Sequence, residues 1–144
     1  MTADTGVAQV NAAAMKRAID AFVAGDTATL AEVFAPDVRW HLPGRSAIAG
    51  DYVGRDAVFG LFARMAALTD GTIRTNPQQI IGDEDGGVII TTDTGERGGR
   101  KLNAHVMLRA HVRDGKLVEL WEHIADLYAY DEFWSSKQQD PGTE

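Results

Sequence analysis

The sequence predicts an α+β fold in which a curved antiparallel sheet packs on about three N-terminal helices. Three observations carry that expectation: helix-period apolar residues fill the first half, alternating strand-like runs follow Gly71, and short Gly-containing turns separate those runs. With 144 residues the chain has the usual length of one domain, assigned to residues 7–136, with 1–6 and 137–144 as flexible tails.

Met15, Ala18, Ile19 and Phe22 recur at helical spacing, and Gly25 offers a C-terminal cap. Asp26 or Thr27 then caps a shorter helix through Leu30, Val33 and Phe34, which Pro36 ends because it has no backbone N–H to donate. Residues 38–42 read as a strand, broken by Pro43-Gly44 before a loop over 45–54. Val58, Leu61, Phe62 and Met65 form the stripe of a third helix. Strands are expected over 72–81, 87–94, 101–113 and 116–126. Asp114-Gly115 is the strongest hairpin signal, since this pair readily takes the positive φ values of a two-residue turn. Along 102–113, Ala104, Val106, Leu108 and Ala110 alternate with His105, Met107, Arg109 and His111, so the first set faces the helices. In 116–126 the alternation conflicts: Leu120 and Ile124 favour one face as buried, Trp121 the other.

The net charge of -7 argues against nucleic-acid and anionic-membrane partners, which are held by clustered Lys and Arg. The absence of cysteine excludes disulfides, thiolate nucleophiles and Cys-ligated metals. No basic-then-apolar leader and no apolar run of membrane length is present, so the chain reads as cytoplasmic.

The order of motifs resembles the nuclear-transport-factor-like superfamily. Within it the SnoaL-like group is nearest, which includes ketosteroid isomerases, polyketide cyclases and limonene-epoxide hydrolases. The motifs are Gly25-Asp26, Pro36-Asp37-Val38, Trp40-His41-Leu42-Pro43-Gly44, Gly50 to Val58, and Asp114-Gly115-Lys116-Leu117 leading into Leu120-Trp121-Glu122-His123. The resemblance implies a cone-shaped, cystatin-like α+β barrel around an apolar pocket, and a homodimer through the outer sheet face. It further implies cofactor-independent general acid/base chemistry, of isomerase, cyclase or hydrolase type, on a hydrophobic carbonyl or cyclic substrate. The alternative is a ligand-binding or dimerisation domain without turnover.

Carried over by position, the catalytic candidates are His41, Asp93 and His123. An imidazole at His41 titrates near neutrality and suits proton abstraction, and a carboxyl at Asp93 in an apolar cavity acquires a raised pKa. Arg39, Trp40, Tyr52, Phe62 and Trp121 are assigned to substrate binding. Four of these candidates have a plainer reading: His41 as a half-buried His bonded to a loop carbonyl, Asp93 as a turn residue before Gly95, Trp121 as core, Tyr52 as a staple joining its loop to the third helix. The Arg-Asp pair of the epoxide hydrolases falls on Ile89 and Thr91 and is missing. No metal site is expected, because His105 and His111 on one strand face stand roughly 20 Å apart at ~3.3 Å per residue. Gly95 to Gly99 reads as a hairpin turn, and Ser135 and Ser136 lack the glycine elbow of a serine nucleophile.

Overall fold

A computed structural model describes residues 2–135, with side-chain positions from residue 6 onward. The chain runs α1 (Thr2–Ala24), α2 (Thr27–Val33), β1 (Phe34–Leu42), β2 (Gly50–Val53), α3 (Arg55–Leu68), β3 (Arg74–Gly82), β4 (Gly86–Arg97), β5 (Arg100–Arg113), β6 (Lys116–Ile124) and α4 (Leu127–Trp134). The six strands form one curved, unclosed sheet in the order β2-β1-β6-β5-β4-β3. All neighbours are antiparallel except β1 and β6, which run parallel, so the sheet is mixed where the sequence predicts a purely antiparallel one. Four helices accompany it, and the α+β class stands.

Local chemistry accounts for most boundaries. The Asp26 carboxylate accepts a bond from the Thr29 N–H and starts α2. The second helix stops before Phe34 rather than at Pro36; both residues lie in β1, where Pro36 is tolerated because the β1–β6 ladder shifts register between Phe34 and Arg39. Asp114 and Gly115 both have positive φ, 53° and 77°, as a tight hairpin between β5 and β6 requires. Two elements lie where the sequence reading has none. β2 is a four-residue edge strand, too short and too exposed to alternate. α4 follows from an Asp126 cap and from Tyr130, Phe133 and Trp134 at helical spacing. α1 begins at Thr2, inside the segment read as an N-terminal tail. Met1 and residues 136–144, including Ser136, lie outside the described residues.

The helices cover the inner sheet face. Ala104, Val106, Leu108 and Ala110 of β5 are buried against them, while His105 and Met107 point to the opposite, exposed face. Among the described residues no helix is long and apolar enough to cross a membrane. Gly87, at φ +146°, shows how closely α1 lies on the sheet: a Cβ there would stand 2.1 Å from the Ile81 carbonyl oxygen and 2.6 Å from Met15 Cε. Gly87→Ala therefore combines an unfavourable backbone angle with a clash against backbone. It is expected to destabilise the fold by about 2 kcal/mol or more, measured by urea unfolding. Gly98→Ala, where a Cβ meets open space, is expected to cost clearly less; equal losses at the two positions would contradict this account.

Candidate active site

The inner face of the sheet and the helices do not meet everywhere. Between them lies a narrow chamber that opens to solvent, about 570 Å³ when its open mouth is counted in. Its walls are apolar, with Phe22 from α1, Phe62 and Met65 from α3, and Trp40, Ile89 and Leu120 from the sheet. Four polar side chains interrupt them: Thr75, Thr91, Asp93 and Glu122.

Asp93 projects inward from β4 and is 7% exposed. The Thr91 hydroxyl donates to its Oδ1 at 3.1 Å, and Thr75, facing it on β3, also bonds the carboxylate. Burial raises its pKa to about 6, because two hydroxyl donors only partly replace the lost water. Glu122 projects inward from β6 with 7% exposure. The Trp40 indole N–H donates to its Oε2 at 2.8 Å. Burial raises Glu122 to about 8, partly offset by that bond, and the negative charge of Asp93 pushes it further up. Near neutrality the chamber thus holds an ionised Asp93 and a protonated Glu122, an acid and a base separated by their surroundings. Tyr130 of α4 lies close enough to feel both carboxylates and is raised well above its ordinary value by burial and then by their charge.

The sequence candidates divide between the two faces of the sheet. Asp93, Trp40 and Phe62 line the chamber. His41, Trp121, His123 and Arg39 do not, because strand side chains alternate and these odd-numbered positions of β1 and β6 face outward while Trp40 and Glu122 face in. His41 Nδ1 stands 2.7 Å from Asp51 Oδ1 and its Nε2 2.6 Å from Glu119 Oε2, with its ring stacked on Trp121 at 5.5 Å. The bond to Asp51, supported by Glu119, holds its pKa above the ordinary value against the effect of burial. The Tyr52 hydroxyl donates to the Ile48 carbonyl, four residues earlier in the chain, rather than to α3. Among the described residues no three His, Asp or Glu side chains are grouped to hold a metal ion.

The model of the SnoaL-like domain matches residues 15–120, most of the chain. The chain belongs to the SnoaL-like domain family. A Burkholderia pseudomallei protein described as nuclear-transport-factor-like shares the fold, 20% identical with a TM-score of 0.76 over 88% of this chain and 98% of that one. A Mycobacterium tuberculosis relative, uncharacterised, is 34% identical over 122 residues, 84% of this chain and 93% of that protein. Among solved structures, Bal32a from a soil-derived mobile gene cassette is 40% identical with a TM-score of 0.85, covering 89% of this chain and 98% of its own. A Xanthomonas campestris protein described as having a cystatin-like fold is 28% identical with a TM-score of 0.82, over 87% and 98% of the two chains.

The residue that sequence reasoning passed over in this SnoaL-like domain is Glu122. The apolar Leu120 and Ile124 argue for its face as the inner one, and following them rather than Trp121 finds it. The irregular register between β5 and β6 at His111/Val112 explains why Leu117 and Leu120 are both buried although they are three residues apart.

These shifts fix a sign for stability against pH. Native Glu122 keeps its proton where the unfolded chain has lost it, so stability falls as pH rises from 4.5 to about 8. Asp93 adds to that fall between 3.8 and about 6. His41 acts in the same direction: its contribution is complete below 6.5 and is lost as pH rises through its raised native value. Glu122→Gln keeps an acceptor for Trp40 and removes the titration. At pH 8 it is expected to be more stable than the native chain, by on the order of a few kcal/mol, with a flatter profile in urea midpoints. Parallel profiles for the two proteins would refute the buried acid.

Proposed function

We propose that this SnoaL-like domain is a cofactor-independent enzyme that moves a proton on a hydrophobic, carbonyl-bearing small molecule. One observation carries the reading: two carboxyl groups with unequal, raised pKa values face a chamber that is otherwise apolar. Asp93 is the base. Its carboxylate takes a proton from the carbon next to the substrate carbonyl, and Thr75 and Thr91 steady it. Glu122 is the acid. Trp40 engages Oε2, which leaves Oε1 to carry the proton that is donated to the carbonyl oxygen as it gains charge. The resulting enol either returns the proton at another carbon, as in an isomerase, or attacks a second carbonyl, as in a cyclase. Trp40 and Phe62, ring edge to ring face at 5.2 Å, supply an apolar corner for a cyclic substrate.

The alternative is a binding domain of the same fold, and proton exchange separates the two. Incorporation of solvent deuterium next to the carbonyl of 2-tetralone, followed by NMR, is expected above the buffer rate. Its pH profile is expected to be bell-shaped, with limbs near about 6 and about 8 that belong to the coupled pair. Asp93→Asn is expected to lower the rate roughly 10²- to 10⁴-fold. Exchange no faster than in buffer, with Asp93→Asn indistinguishable, would leave only the binding reading.

We propose in addition that a second copy of the chain covers the outer sheet face. There Met107 is 47% exposed opposite His123, and on the same face the half-buried Trp121 is flanked by His41 and His111 at 5.5 and 4.9 Å. Met107→Glu would place a charge in that contact and is expected to convert a dimer into a monomer in sedimentation velocity. A native chain that already sediments as a monomer at high concentration would end this proposal.

A further inference from the structure

A second hollow adjoins the carboxylate chamber. It is a groove of about 1150 Å³, counted with its open side, running between the end of α1, the outer side of α3 and the start of β3. Leu30, Phe59, Ala66 and Ile73 make its surface mainly apolar. Three residues, Phe22, Phe62 and Thr75, line both hollows. The two phenyl rings meet edge to face, with centroids 4.8 Å apart and planes at 69°. They come from helices that scarcely touch along their backbones, so the rings themselves fill the gap between α1 and α3. Both rings are half-buried, Phe62 also packs on Trp40, Phe34 and Phe59, and a change of rotamer at either ring is the smallest movement that would open the partition. Thr75 completes the shared wall and bonds Asp93, which ties the partition to the chamber's carboxylate.

We propose that Phe22 and Phe62 are a gate joining the two hollows into one site. That site takes an elongated substrate, a carbonyl-bearing ring in the chamber and an apolar tail in the groove. The identity of the reacting head rests on the acid/base reading above; the gate and the tail rest on the continuity of the two walls. A compact ring alone leaves the groove empty, whereas a tail of several methylenes buries apolar surface along Leu30, Phe59 and Ile73. The gate residues then set specificity by length and width, and the two carboxyl groups set the chemistry.

Phenol, 4-butylphenol and 4-octylphenol test this, since their hydroxyl mimics an enol oxygen and they differ only in the tail. In calorimetry with the native chain, affinity is expected to rise along the series by roughly tenfold for every two methylenes buried. Ala66→Trp fills the groove away from the chamber and is expected to abolish the length dependence while leaving phenol affinity unchanged. Ala63→Trp, at an exposed position on the same wall, is the second variant should Ala66→Trp fold poorly. Phe62→Leu thins the gate and is expected to raise kon for 4-octylphenol several-fold. Equal affinities across the series in the native chain, or an undiminished length dependence in both Trp variants, would overturn the groove. An unchanged kon in Phe62→Leu would overturn the gate. All are binding measurements, so failure of deuterium exchange in 2-tetralone leaves them standing, and a flat series alongside active exchange removes the tail without touching the acid and base.

Discussion

The hydrogen bond from the Trp40 indole to Glu122 Oε2 joins two residues 82 positions apart and spans the parallel seam between β1 and β6. It is the sole hydrogen bond recorded for the Glu122 side chain among the described residues, and it satisfies one oxygen of a carboxyl group that burial strongly disfavours as an anion. The parallel pairing makes it possible. Among the described residues, β1 and β6 are the one pair of sheet neighbours that are not consecutive in the chain, and their register sets Trp40 opposite Leu120, two residues before Glu122 on the same face. An antiparallel meander of the kind that the later strands form would not bring the N-terminal third of the chain to β6. The same seam puts Val38 and Leu42 into the core on either side of Trp40.

The chamber exists because other parts of the fold keep the inner sheet face sealed without filling it. α4 is central to this. Tyr130, Phe133 and Trp134 are buried, and the helix is held from three sides: Asp131 Oδ2 accepts from the Arg45 N–H, the Ala47 N–H donates to the Trp134 carbonyl, and Arg97 Nη1 donates to the carbonyls of Phe133 and Ser135. Gly44 is required there, since a Cβ would stand 2.1 Å from Asp131 Oδ1. The two carboxyl groups are buried on the same inner face, and their pKa values rise through burial before any interaction with each other. Packing at α4 thus bears on the protonation of the two carboxyl groups.

The helices that carry amphipathic stripes and the long strands β3 to β6 were legible because apolar period and Gly turns are local signals. β2 and α4 were not: one is an edge strand of four residues and the other draws its stability from burial of Tyr130, Phe133 and Trp134 rather than from its own length. The parallel seam is a property of the whole topology, and no local pattern announces it. For the site, Asp93, Trp40 and Phe62 were within reach, whereas the choice of face on β1 and β6 turned on one residue of register. Aligning His41 and His123 with family positions outweighed the plainer evidence of Val38, Leu42 and Leu120, whose burial fixes the inner face. The gate was invisible for a different reason: Phe22 and Phe62 are forty residues apart on helices whose relative placement no spacing encodes.

The two faces of the sheet also show why the carboxylates rather than the histidine suit proton transfer. At His41 both ring nitrogens face carboxylates, so the imidazolium is satisfied on each side and its raised pKa reflects a proton that is held, not one ready to move. A base needs an unoccupied lone pair, and His41 gains one only by losing its proton and the carboxylate partner at one of its two nitrogens. Asp93 is raised for the opposite reason, because its anion is poorly solvated, and that makes it a stronger base than an exposed carboxylate, as the proposed proton abstraction requires. Equal directions of shift therefore mark opposite capacities. What distinguishes them is whether the proton or the vacant lone pair is the stabilised state, and that is decided by the neighbours each strand face supplies.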